Sequence, residues 1–405
     1  MAKLYRANLA QTLRDLGEPI ENTGFGIHGG TGRLALVDHE TALVAFGKRV
    51  YLVRFTTADS ETDDGAPRME DSSKSFTSFF PFPSLNVEFT GLQLDSTIST
   101  IAAVSCTREA DSKYLHVVVA SELGRILYAE GDCLDCGSWK KYHTQHPGIV
   151  EDGLVSCGIF PSKPSLFITT HLFSGRACLW ERNKLVDHVN LEGNPSCLTL
   201  TALSVDQYVI IIAERDVVSI WDLDMKRLDL TLKKRSNFLG KTTLSSGTIY
   251  TVGANPSMFA IGGVETNIQL RHCSNPDELL QRWPTGAKYE VSHVRIPSFG
   301  PCAFACGTDN EVLFGEWGEG VNQSPQKRQK IEPTDSSANE GTLRKSSRSK
   351  TVVLFRGDSA WAGLDLDETP GGGLGKHARD EKKGFLAALS ERGALYVLAN
   401  IQNLL

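Results

Sequence analysis

Two adjoining runs near the middle of the chain constrain its architecture more than any other feature. Gln207-Tyr-Val-Ile-Ile-Ile-Ala213 is apolar enough for a strand buried on both faces. Asp216-Val-Val-Ser-Ile-Trp-Asp-Leu-Asp224 follows, alternating apolar and polar residues and carrying Trp221-Asp222, and then comes a short run, Arg227-Leu-Asp-Leu-Thr-Leu232. This reads as strand, tight turn, strand, turn, strand, with Arg227–Leu232 as the outermost member. A small sheet of this kind cannot bury its own faces, so further copies must stack on it.

Copies are found in both directions. The third-strand position held by Trp221 recurs at Tyr51, Tyr128, Trp180, Leu270, Phe314 and Tyr396, with successive steps of 77, 52, 41, 49, 44 and 82 residues. The middle four steps lie near the roughly 40–45-residue pitch of WD40 repeats. Each long step contains a polar insertion that accounts for its excess. The pattern resembles the WD40-repeat family: Trp221-Asp222 copies its dipeptide and Trp180-Glu181 approaches it, while no unit opens on a clear Gly-His pair. The resemblance implies an all-β fold, a single seven-bladed β-propeller over 31–405, preceded by an N-terminal segment of residues 1–30. Trp180, Trp221 and Asp222 are then structural residues of their blades.

Composition agrees with a soluble globular chain: 405 residues, 22% charged and 40% hydrophobic. The net charge of -6 gives no global drive toward nucleic acid or an anionic membrane. No run approaches the 18 or so apolar residues of a membrane span, and the start, Met1-Ala-Lys-Leu-Tyr-Arg-Ala7, lacks the apolar core of a signal peptide. The nine cysteines, scattered through strand-like runs, read as buried reduced thiols of a reducing compartment.

The N-terminal segment has two readings. Leu9, Leu13 and Leu16 have helical spacing, whereas Lys3–Ala10 could pair with the last blade, which ends at its third strand and otherwise leaves an open edge. Blade one reads Arg33–Val37, Thr41–Phe46 and Arg49–Phe55, followed by an acidic insertion over 56–74 (Asp59, Glu61, Asp63, Asp64, Glu70, Asp71) with the composition of a solvated loop. Phe76, Phe79, Phe80 and Phe82 then cluster around two prolines, and are read as core rather than as a docking patch.

Cys133-x2-Cys136-x6-His143-x2-His146 places four zinc-type ligands in order, but the two pairs are too close for the usual turn around a structural zinc. Two thiols and two surface histidines are the preferred reading. The Gly-rich loop at 368–383 fails as a phosphate loop, since Gly375-Lys376 is followed by His377 and Pro370 occupies the leading glycine's place. No nucleophile elbow, His-Glu-x-x-His pair or dinucleotide fingerprint is present in the sequence. Neither catalysis nor a cofactor is expected.

The basic insertion at 318–349 carries the strongest functional signal. It holds Lys327, Arg328, Lys330, Arg344, Lys345 and Arg348, and with Lys350 there are seven basic against three acidic residues (Glu332, Asp335, Glu340), a local +4. Such clusters are bound by nuclear import receptors and also suit phosphate backbones. Ser324, before Pro325, is a candidate proline-directed phosphorylation site whose added charge would oppose the neighbouring lysines. By family analogy the resemblance implies a scaffold for other proteins in a nuclear complex, of the ribosome-assembly, chromatin or nuclear-pore type. The alternatives are a ubiquitin-ligase substrate receptor or nucleic-acid binding through 324–350. In many such receptors Trp-Asp is followed, after one residue, by Arg; here that place, after Trp221-Asp222-Leu223, is Asp224.

Overall fold

Alternation in the sequence becomes a ring of sheets in the computed structural model, which describes residues 2–18, 32–57, 76, 78–107, 113–144, 152–227, 230–239, 248–298, 300–317, 350–367 and 384–404. The chain opens with β1 (Lys3–Asn8) and α1 (Leu9–Asp15). Blade one follows as β2 (Leu34–Asp38), β3 (Thr41–Phe46), β4 (Arg49–Thr56) and β5 (Ser84–Gln93). Blade two is β6 (Ile98–Thr107), β7 (Lys113–Ser121), β8 (Ile126–Asp132) and β9 (Lys140–Thr144). Blade three is β10 (Leu154–Ile159), β11 (Leu166–His171), β12 (Arg176–Glu181) and β13 (Lys184–Asn190). Blade four is β14 (Cys197–Ala202), β15 (Gln207–Glu214), β16 (Val217–Asp224) and β17 (Lys233–Leu239). Blade five is β18 (Ile249–Ala254), β19 (Met258–Gly263), β20 (Asn267–His272) and β21 (Leu279–Pro284). Blade six is β22 (Val291–Arg295), β23 (Cys302–Gly307), β24 (Glu311–Glu316) and β25 (Lys350–Arg356). Blade seven is β26 (Trp361–Asp367), β27 (Phe385–Ser390) and β28 (Ala394–Ala399).

Each blade is a four-stranded antiparallel sheet, and β1 supplies the outer strand of blade seven. The inner strands contact their neighbours around a closed circle, with β26 meeting β2. Among the described residues the seven apolar clusters each lie between two consecutive blades. Strand β15 shows why its sequence is apolar throughout. Successive side chains point to opposite faces, so Tyr208, Ile210 and Ile212 enter the cluster shared with blade three, while Val209, Ile211 and Ala213 enter the one shared with blade five. All seven third-strand positions, Tyr51, Tyr128, Trp180, Trp221, Leu270, Phe314 and Tyr396, lie on third strands and are buried. The nine cysteines are free thiols, eight of them buried. No helix among the described residues is long and apolar enough to cross a membrane.

The outer strand of blade four is a correction. It is Lys233–Leu239, not Arg227–Leu232. An outer strand faces solvent along one edge and tolerates a polar sequence, whereas Leu230 and Leu232 are needed elsewhere. They close the end of the core between blades three and four, and the Leu232 N–H donates to Asp187 Oδ2 at 2.8 Å. Strand β5 lies beyond the acidic insertion and has little strand signature of its own. Gly91 within it takes φ +71°, and its register against β4 shifts between Arg49 and Tyr51.

The ends of the ring meet at blade seven. The N-terminal segment forms both elements in succession: β1 pairs antiparallel with β28, from Lys3 opposite Ala399 to Asn8 opposite Ala394. Asn8 then ends the strand and caps α1, its side-chain oxygen accepting from the Gln11 N–H at 3.1 Å. Phe76 and residues 78–82 lie across the outside of this junction. The Phe76 N–H donates to Leu354 O of blade six, Phe80 exchanges backbone bonds with Leu4 and Arg6 of β1, and Phe82 stacks on Tyr5 and meets Phe55 of blade one. Phe76, Phe80 and Phe82 therefore pack on core, while Phe79, 36% exposed, lies against Tyr396 and under the Arg6 guanidinium.

Candidate functional site

A propeller presents two loop faces. The upper face carries the turns between second and third strands together with the links between blades. The lower face carries the turns between first and second and between third and fourth strands. Two buried relays show how the upper face is held.

In blade three the Trp180 indole N–H donates to Thr169 Oγ1 at 2.9 Å, and that oxygen lies 3.0 Å from His171 Nε2. His171 Nδ1 sits 3.6 Å from Asp152 Oδ2, an ion-pair distance rather than a hydrogen bond, and both side chains are buried. Asp152 Oδ1 accepts the backbone N–H groups of Phe173 and Ser174 at 2.8 and 3.1 Å. The chain of contacts runs from the blade centre to an upper turn and fixes that turn's backbone. Phe173, on this pinned turn, is 71% exposed.

Blade four does the same with fewer parts. The Trp221 indole N–H donates to Ser219 Oγ at 2.9 Å, the Ser219 hydroxyl donates to Glu214 Oε1, and Glu214 Oε2 accepts the N–H groups of Glu192 and Gly193 at 2.7 and 2.9 Å. Asp222 faces the blade's flank and pairs with Arg235 through both carboxylate oxygens, at 2.9 and 2.5 Å. Arg235 Nη1 also reaches Cys273 O of blade five at 3.1 Å. In blade two a phenol replaces the indole: Tyr128 lies 2.6 Å from His116 Nδ1 and donates to Glu130 Oε2 at 3.1 Å. Burial, aided by Glu130, pushes its pKa far above the ordinary tyrosine value, which keeps the hydroxyl a donor. The tryptophans mark their blades in the sequence. Their partners Thr169, His171, Asp152, Ser219 and Glu214 do not, because each is a common residue whose role depends on the strand beside it.

His293, on the inner strand of blade six, is enclosed with its Nδ1 2.8 Å from Ser292 Oγ. Burial, with a smaller contribution from Arg295, lowers its pKa to about 3. The unfolded chain, titrating near 6.5, therefore binds the proton that the folded chain refuses. Stability from this group is full above pH of about 6.5 and falls as pH drops toward 3, on the order of a few kcal/mol. Urea unfolding of wild type and His293→Gln across this range should show a weaker pH dependence in the variant.

The three described candidate zinc ligands, Cys133, Cys136 and His143, do not form a metal-type group. Cys133 and Cys136 are buried in the core between blades one and two, and burial raises both thiols, Cys136 to about 12. His143 is exposed on β9, and His146 lies outside the described residues. No group of three metal-type ligands occurs among the described residues. Asp224 Oδ1 accepts the Lys226 N–H at 3.0 Å and so serves its own turn.

Ser324, Lys327, Arg328, Lys330, Arg344, Lys345 and Arg348 also lie outside the described residues, as does the Gly-rich loop 368–383. The strands that flank them show where they leave the body. The acidic insertion follows β4, the basic one separates β24 from β25, and the Gly-rich loop separates β26 from β27. The strand ends that flank all three lie on the lower face, in blades six, seven and one, which are consecutive in the ring.

The fold is similar to that in the crystal structure of the WD40 beta propeller domain of Doa1, with a TM-score of 0.53 and 10% sequence identity over 93% of this chain and 95% of that one. At that identity the likeness is one of fold. No family model and no curated protein matches the sequence.

Proposed function

We propose that this chain is a non-catalytic interaction scaffold, working within a nuclear multiprotein complex to which its basic insertion directs it. The observation that carries the scaffold reading is Phe173. Its turn is pinned from below by a buried carboxylate, yet the ring itself is 71% exposed. Folding alone does not require an aromatic residue on so firmly held a turn to point into water, whereas a partner gains from meeting a backbone that is already in place. Leu123, on the neighbouring upper turn of blade two, is 49% exposed.

The basic residues Lys327, Arg328, Lys330, Arg344, Lys345 and Arg348 support nuclear import, and Ser324 supports its control by phosphorylation. Complexes of ribosome assembly, chromatin and the nuclear pore are the settings proposed. A ubiquitin-ligase receptor role is less favoured, since Asp224 stands where such receptors carry Arg. Nucleic-acid binding through 324–350 is the second reading, favoured by the local +4 charge.

The test is affinity purification with mass spectrometry on the intact chain, on a chain lacking 324–349, and on Phe173→Ser. The intact chain should recover a coherent set of nuclear proteins. The deletion should lose nuclear residence but keep its partners once an unrelated import signal is added, and Phe173→Ser should lose upper-face partners. Recovery of nucleic acid alone, abolished by the deletion and by salt, would replace the scaffold with the binding-arm reading.

A further inference from the structure

The inner strands of blades one, two, three, four, six and seven together line a cavity of about 190 Å³, which places it in the central channel. That exceeds the roughly 150 Å³ of an apolar cavity able to take up benzene. Small residues make the room, with Ala35, Ala102, Ala103 and Gly158 at its wall. One side is apolar, where Ala103, Val104 and Leu200 keep part of their surface uncovered. The other side carries the only two charged residues that line the cavity, Arg295 of β22 and Asp365 of β26.

These two charges meet loosely. Arg295 Nε lies 3.4 Å from Asp365 Oδ1, at the long end of a hydrogen bond, although the side chains are only 17% and 27% exposed. The rest of each group is held in place. Arg295 Nη1 donates to Val294 O at 3.0 Å, and Asp365 Oδ2 accepts the Leu36 N–H at 2.8 Å. Arg295 Nη2, and the Thr199 hydroxyl on blade four across the ring, have no hydrogen-bond partner among the described residues. Asp365 Oδ1 has room for a closer donor. Polar groups so shielded from bulk water gain more from a partner than exposed ones do.

We propose that the channel holds a free α-amino acid with an apolar side chain of medium size. Arg295 and Asp365 set a positive and a negative charge side by side. A lone carboxylate would be repelled by Asp365, and a lone ammonium by Arg295. An α-amino acid bears both charges on one carbon and answers the pair in reverse. Its carboxylate accepts from Arg295 Nη2, and its ammonium donates to Asp365 Oδ1. Its side chain lies against Ala103, Val104 and Leu200. This site is separate from the upper-face turn that carries Phe173.

Isothermal titration of the full-length chain with leucine, valine and methionine tests this directly. At least one should bind saturably, at one site per chain. The N-acetyl derivative of that amino acid lacks the ammonium, and the amide derivative lacks the carboxylate. Each should bind about tenfold or more weakly, as expected for the loss of a charge-assisted hydrogen bond. Asp365→Asn, which keeps an acceptor for the Leu36 N–H, and Arg295→Gln should weaken binding likewise. The two derivatives are measured on the wild-type chain, so the test stands even if a variant fails to fold. No saturable binding, a derivative that binds as tightly as its parent, or a variant that melts with wild type and binds unchanged would each overturn the assignment. The scaffold reading would survive any of these if the intact chain still recovered its nuclear partners.

Discussion

Removing residues 1–8 should open the ring and cost more than about 5 kcal/mol, given that each fully buried side chain of this size contributes roughly 1.5–3 kcal/mol and that a whole ladder is lost with it. Strand β1 is a wedge between two cores. Leu4 points into the cluster shared by blades six and seven, and Tyr5 into the one shared by blades seven and one. Arg6 adds an ion pair to Asp358 at 3.3 Å and lies over the rings of Phe79 and Tyr396. Without β1 the edge of β28 is bare, Phe80 loses its bonds to Leu4 and Arg6, and Tyr396 is uncovered. The truncated chain should melt at a much lower temperature and associate through the open edge. Circular dichroism melts with size-exclusion chromatography would show both effects, and a synthetic peptide of residues 1–10 should restore part of the loss. An unchanged melt would mean that the ring closes without β1. The single change Leu4→Ala should cost about 2–5 kcal/mol.

Trp180→Ala should destabilise the chain by about 3–5 kcal/mol, the usual cost of emptying a buried tryptophan site. Trp180 is 1% exposed and stacks over Phe167, whose ring stacks in turn on Tyr128 of blade two. Two milder variants separate packing from the relay. Trp180→Phe keeps an aromatic ring but leaves the Thr169 hydroxyl without its donor, at a cost of about 1–3 kcal/mol. Thr169→Val keeps the volume and removes the oxygen that joins Trp180 to His171. Both should raise hydrogen exchange at the Phe173 and Ser174 amides more than elsewhere in the blade, since the loss reaches them through Asp152. Uniform exchange changes across the sheet would show that Trp180 acts by packing alone.

The legible parts of the chain were those governed by local pattern. Third strands could be found because each carries one large buried residue flanked by alternation, and even Leu270 and Phe314 serve the same place as Trp221. Strand β25 was legible beyond the long basic insertion, since Thr351–Phe355 is apolar and β-branched. The outer strand of blade four was not. There an apolar run, Leu230–Leu232, competed with the polar Lys233–Asn237, and only the neighbouring blade decided between them. Lys234 now lies over the Trp221 ring, Arg235 grips Asp222, and Leu232 seals the core behind. The relays were half legible: the indoles stood out, while the carboxylates that complete them, Asp152 and Glu214, looked like any surface acids.

The sequence by itself determined the all-β class, the seven units and the places where insertions interrupt them, because strand periodicity and burial on two faces are written residue by residue. Tertiary structure decided how the ring closes, which strands lie outermost and which polar groups hold the upper turns. Those outcomes depend on pairing between residues hundreds of positions apart, such as Tyr5 with Val397. They also depend on the burial of acids such as Asp152, which packing alone turns from solvated charges into anchors.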